Sequence, residues 1–111
     1  MALSQKGTRM DKKSLTDRLF NLKGKTAVVT GGGTGLGLIM TETLASFGAN
    51  IIIVSRKESN VYTATKKILS THPEGFIKSF TSDLSQEDQI TNLVSKVEDI
   101  TDSIDILINN S

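Results

Sequence analysis

The glycine-dense stretch Thr30-Gly31-Gly32-Gly33-Thr34-Gly35-Leu36-Gly37 has residue types and spacing suited to holding an anion. Glycine lacks the Cβ that would keep a ligand off the backbone, and it permits tight turns. A pyrophosphate needs backbone N–H groups at close range and the positive end of a helix dipole. The competing glycine-rich loop, that of nucleoside triphosphatases, closes with Gly-Lys-Ser/Thr. Here Gly35-Leu36-Gly37 stands in that place, which argues against it. A second stretch, Tyr62-Thr63-Ala64-Thr65-Lys66, sets a phenol four positions from an amine. His72, the only histidine, precedes Pro73 in a loop and reads as a solvated side chain. Asp99, Asp102 and Asp105 surround a helix-to-strand turn, where Asp is an ordinary turn residue. No cluster of metal-ligand residues is apparent.

These residues need elements to position them. Lys25 to Thr30 is a β-rich run ended by glycines. From Gly35 the apolar period becomes helical, with Leu36, Ile39, Met40, Thr43, Leu44 and Phe47 as the inward stripe and Gly48 as the stop. Gly37, inside that helix, lets it lie close to the sheet. Asn50 to Val54 is apolar enough for burial on both faces. Ser59 to Ser70 predicts a helix with Val61, Ala64, Ile68 and Leu69 inward, followed by the loop His72-Pro73-Glu74-Gly75. Phe76 to Thr81 alternates like an edge strand. Ser85 reads as an N-cap, with Asp88 completing a capping box before a stripe of Ile90, Leu93, Val94, Val97 and Ile100. Ile104 to Ile108 is the last strand. Such β-α alternation predicts a parallel sheet with helices on both faces.

The bulk numbers fit one small domain: 111 residues, 37% hydrophobic, 23% charged, net charge +1. The charge balance and the lack of a basic stripe speak against nucleic-acid binding. Without cysteine there is no disulfide, thiolate catalysis or Cys-based zinc site. No apolar run approaches a membrane span of about 20 residues. The first residues lack the apolar segment of a secretory signal. Residues 1–20 are expected to be a disordered or short helical lead-in, and 21–111 a partial nucleotide-binding domain. The cytoplasm is the expected compartment; the basic start leaves the mitochondrion as the alternative.

The loop does not follow the common dinucleotide pattern Gly-x-Gly-x-x-Gly. It reads Thr-Gly-x-x-x-Gly-x-Gly, and with the lead-in "LKGKTAVVTGGGTGLG" it resembles the short-chain dehydrogenase/reductase family. Asp83-Leu84 after the third strand is similar to that family's adenine-contacting Asp, and "DILINN", Asp105 to Asn110, to its Asn-Asn motif. The resemblance covers residues 20 to 111. It implies a Rossmann-type, doubly wound parallel sheet of order 3-2-1-4, truncated after the fourth strand. It implies a cofactor site drawn from Gly31, Gly33, Thr34, Gly35, Leu36, Gly37, Ser55, Arg56, Asp83, Leu84, Asn109 and Asn110.

An acidic residue at the end of the second strand would hold a ribose 2′-OH. Ser55 and Arg56 stand there instead, and Arg suits a 2′-phosphate, so NADP(H) is expected over NAD(H). Thr34 occupies the place where many NADP-dependent relatives carry a second basic residue.

In the family a Tyr-x-x-x-Lys pair moves the proton, with a Ser upstream, beyond the fourth strand. Tyr62 and Lys66 lie instead on the second helix, at the adenosine end, and Ala49 stands thirteen residues before Tyr62. No catalytic residue is therefore assigned within the chain, and Ser111 is not the family's Ser. Three readings stay open: part of a longer reductase, an NADPH-binding module without turnover, or a non-functional product. Ile104, Ile106, Leu107 and Ile108 would line an unpaired sheet edge, so self-association or pairing with another reductase subunit is expected.

Overall fold

The computed structural model describes residues 19–110, so Ser111 and nearly all of the expected lead-in lie outside the described residues. The strands form where β-branched side chains run together. β1 (Thr26–Thr30) is buried along its whole length, and β2 (Asn50–Ser55) is buried from Ile51 to Val54. They pair in parallel from Thr26 with Asn50 to Thr30 with Val54. β3 (Ile77–Thr81) adds outside β2 and β4 (Ile106–Asn109) outside β1, giving the order β3-β2-β1-β4. The expected topology and order are therefore present. Strands buried on both faces read as continuous apolar runs, which is why β1 and β2 were legible.

Alternate residues of these strands feed two cores. Ala27, Ile51 and Ile53 pack under α1 (Gly35–Ser46) and α2 (Glu58–Leu69), with Ala45, Ala64 and Ile68 from the helices. Val28, Ile52 and Val54 point the other way, toward Val97 of α3 (Glu87–Glu98). Full burial of one such Ile contributes about 1.5–3 kcal/mol, and Ile51, Ile52 and Ile53 are all fully buried.

The inward face of α1 is not the one expected. Gly37, Thr41 and Ala45 are buried, Leu38 and Leu44 half-buried, while Leu36 and Ile39 are 64% and 60% exposed. The helix rests so close to the sheet that only small side chains fit at the contact. A Cβ on Gly37 would overlap Gly31 O, and the Thr41 hydroxyl donates within the helix to Gly37 O at 2.8 Å.

The start of α3 is a second correction. Ser85 does not cap it. Its N–H and hydroxyl both donate to Asp83 Oδ1, at 3.0 and 2.7 Å, so Ser85 is spent in a turn on Asp83. The cap position is Gln86, which offers no side-chain bond. Of the predicted α3 stripe only Val97 is buried, and Ile90 and Val94 are 40% and 50% exposed. Leu69, expected inward on α2, is half exposed, while Val61, Ala64 and Ile68 are buried as expected. β4 begins at Ile106 rather than Ile104. Ahead of it the Asp105 carboxylate accepts the Thr26 N–H at 2.9 Å, and Asp105 N–H donates to Thr26 O. Asp105 therefore docks the strand onto β1 rather than serving only as a turn residue.

Candidate cofactor cleft

Every strand of a parallel sheet ends on one side, so the residues just after β1, β2 and β3 meet. Here they enclose a cleft of about 390 Å³ lined by Gly31, Ser55, Arg56, Lys57, Asn60 and the turn Ser82 to Ser85, with Val54 as its floor.

The loop after β1 is shaped by glycine at two positions. Gly31 has φ +67° and its N–H donates to Val54 O at 2.7 Å, which stitches the loop to the end of β2. Gly35 has φ +55°, and a Cβ there would meet nothing within 4 Å, so its demand is conformational and the space beside it is open. α1 starts behind Thr34 with no side-chain cap and no acidic residue in its first turn. The first amide of this end to find a helical partner is Leu38, which donates to Thr34 O. The N–H groups of Gly35, Leu36 and Gly37 are thus free to take an anion.

On the β2 side, Arg56 and Lys57 bring positive charge to the cleft wall. Asp83 is the carboxylate facing them. The Ser85 hydroxyl and then the Ser85 N–H hold its carboxyl below the usual range; partial desolvation opposes them and Arg56 adds to them. On the β4 side, the Thr30 hydroxyl donates to Asn109 Oδ1 at 3.0 Å and accepts the Asn110 N–H at 3.1 Å. Asn110 Nδ2 donates to Gly31 O at 3.3 Å. These two asparagines tie the end of β4 to the glycine loop.

Of the residues singled out in the sequence, the cleft brings together Gly31, Ser55, Arg56, Asp83 and Leu84. Gly33 packs against Asn60, with its would-be Cβ 3.1 Å from that residue's backbone O. Thr34, Gly35 and Leu36 form an exposed rim, Gly37 is buried behind it, and Asn109 and Asn110 stand beside the loop rather than on the cleft wall. Lys57, Asn60, Ser82 and Ser85 line the cleft without having been picked out for it. Asn60 could have been found, since it lies in the first turn of the helix that follows Arg56 and Lys57.

Tyr62 and Lys66 do not line the cleft. Tyr62 is 64% exposed on the outer face of α2, with Lys66 Nζ 5.6 Å from its ring centroid. His72 is exposed in its loop at φ 55°. Among the described residues, no three His, Cys, Asp or Glu side chains gather as metal ligands, and no helix is long and apolar enough to cross a membrane.

Sheet order, helix placement and the cleft at the strand ends define a doubly wound, Rossmann-type α/β domain. The profile of the short chain dehydrogenases matches residues 25–111, and the chain belongs to that family. It is 36% identical to a short-chain dehydrogenase/reductase of Byssochlamys spectabilis, over 92% of this chain and 32% of that protein. It is 39% identical to the 2-dehydro-3-deoxy-D-gluconate 5-dehydrogenase of Bacillus subtilis, over 83% of this chain and 35% of that one. A metagenomic short-chain oxidoreductase solved in complex with NADP superposes with a TM-score of 0.76 at 30% identity, over 82% of this chain and 40% of that one. The chain thus spans about a third of the length of the curated relatives it matches.

Proposed function

We propose that these residues form the adenosine and pyrophosphate part of an NADP(H) site, in an oxidoreductase that passes hydride between the cofactor and a carbonyl or alcohol. The observation that carries the proposal is the junction of loop and helix. Three N–H groups at the start of α1 have no backbone partner among the described residues, and the loop leading to them lines, through Gly31, a cleft whose wall carries Arg56 and Lys57. In this assignment Gly31, Gly33, Thr34, Gly35, Leu36 and Gly37 cradle the pyrophosphate, Ser55 and Arg56 take the 2′-phosphate, and Asp83 and Leu84 meet the adenine. Asn109 and Asn110 hold the loop from the β4 side. The NADP complex of the metagenomic relative supports the same cofactor class. No proton-transfer group is assigned here: Tyr62 and Lys66 are a surface pair on α2.

The test is titration of NADPH and NADH into the wild type and Arg56→Ala. Loss of a charge-assisted bond to phosphate should weaken NADPH binding by about tenfold to a hundredfold and leave NADH within about twofold. Equal losses for both would refute the 2′-phosphate assignment, and a wild type that binds neither would refute the whole proposal.

A second reading concerns assembly. Leu107 is 67% exposed on β4, one of the two outer strands of the described sheet, and such an edge favours pairing with a second chain.

A further inference from the structure

The adenine end of the cleft is built on the turn between β3 and α3, and one side chain of α3 reaches back into it. Gln89 is the third residue of the helix. In that position a Gln usually returns to the N–H of the cap residue. Here the cap is Gln86, and its N–H already donates to Asp83 O at 3.1 Å. Gln89 Oε1 passes over it and accepts the Asp83 N–H at 2.6 Å. The Gln89 backbone O accepts the hydroxyl of Ser82, itself only 6% exposed, at 3.4 Å. At the other end of Asp83, Ser85 donates twice to Oδ1. Oδ2 has no hydrogen bond from the described residues, and Asp83 lines the cleft.

We infer that Gln89 is a positioning residue for adenine recognition: by pinning the Asp83 main chain, it fixes where the Asp83 carboxylate stands. This rests on the cofactor assignment above. The backbone of Asp83 has one N–H to place, and Gln89 supplies its acceptor. Without that acceptor the Asp83 main chain keeps only the Gln86 N–H on its carbonyl, and the carboxylate is held less firmly in place. Adenine is common to both dinucleotides, so the effect must be common as well. That distinguishes Gln89 from Arg56, whose effect is confined to the phosphorylated ligand.

The experiment is a double-mutant cycle on dinucleotide affinity in the full chain, with NADPH and NADH as the probes. Gln89→Ala is expected to weaken both by roughly three- to fivefold, the worth of one partly solvated hydrogen bond. Gln89→Glu keeps an oxygen acceptor and is expected to bind within about twofold of the wild type. In an Asp83→Ala background, adding Gln89→Ala is expected to cost nothing further. The inference is overturned if Gln89→Ala binds like the wild type, if Gln89→Glu is no better than Gln89→Ala, or if the losses from Asp83→Ala and Gln89→Ala multiply. A wild type that binds neither dinucleotide removes the cofactor assignment and this inference with it; binding by the wild type with an additive cycle removes this inference alone.

Discussion

Replacing Gly37 by Ala should destabilise the protein, although helix propensity alone predicts the opposite. Gly37 lies inside α1 and is absent from the positive-φ residues, so Ala would adopt its backbone without strain and favour the helix by about 1 kcal/mol. The surroundings reverse the sign. A Cβ would overlap Gly31 O, and would stand 2.6 Å from Asn110 Nδ2 and 2.9 Å from Gly31 C. Two of these contacts are main chain, which cannot rotate aside. Overpacking of this kind costs about 1–3 kcal/mol. Pushing the loop away also strains the bond from Asn110 Nδ2 to Gly31 O, a loss of about 0.5–1 kcal/mol. Set against the propensity gain, the net loss is about 0.5–3 kcal/mol. For a domain of this size that is a fall in Tm of roughly 2–15 °C. Thermal unfolding followed by far-UV circular dichroism reads it directly. A Tm equal to or above the wild type would mean that α1 does not press on the glycine loop, and the account of why small residues face the sheet would fail.

The remaining predictions concern the rim of the cleft and the sheet edge. Ser85→Ala removes the stronger of the two bonds that depress the Asp83 pKa, so the side-chain carboxyl resonance should titrate closer to the ordinary value of 3.8. Because the folded-state value is lowered, the stabilisation from these bonds is present above the ordinary value and is lost as pH falls through the lowered one. The variant should therefore lose less stability across that acid window, and an unmoved titration would contradict the assignment. Leu107→Lys should leave Tm within a few degrees, since the side chain is two-thirds solvated, and should shift sedimentation toward the monomer. Identical sedimentation of the two proteins would rule out association through β4.

What was legible in the sequence follows the kind of signal each element carries. β1 and β2 are sandwiched between helices, so their burial shows as the unbroken apolar runs Ala27 to Val29 and Ile51 to Val54. The packed face of α1 was illegible by the same logic. It is made of Gly37, Thr41 and Ala45, whose hydropathy is low, while the larger Leu36 and Ile39 stand outward and dominate any periodicity. Ser85 carried the composition of an N-cap, but Asp83, two residues earlier, competes for both of its donors. In the cleft, Ser55, Arg56 and Asp83 were legible because each stands at the end of a strand or within two residues after it. Asn60 and Gln89 belong to the helices that come next, and their relevance depends on how those helices sit.

The Tyr62 and Lys66 pair shows why position outranks spacing. A separation of four residues on a helix brings the two side chains onto one face wherever the helix lies, and here it yields an ammonium 5.6 Å from a phenol ring. Whether that contact does chemistry depends on which edge of the sheet it reaches. Parallel strands deliver Gly31, Arg56, Asp83 and Asn110 to one edge, whatever their separation in the chain. A helix leaving that edge carries its residues away at 1.5 Å each. From the start of α2 at Glu58, Tyr62 is about 6 Å and Lys66 about 12 Å along the axis. Asn60, only about 3 Å along, still lines the cleft. The same axial rise therefore keeps Asn60 at the site and takes Tyr62 and Lys66 out of it.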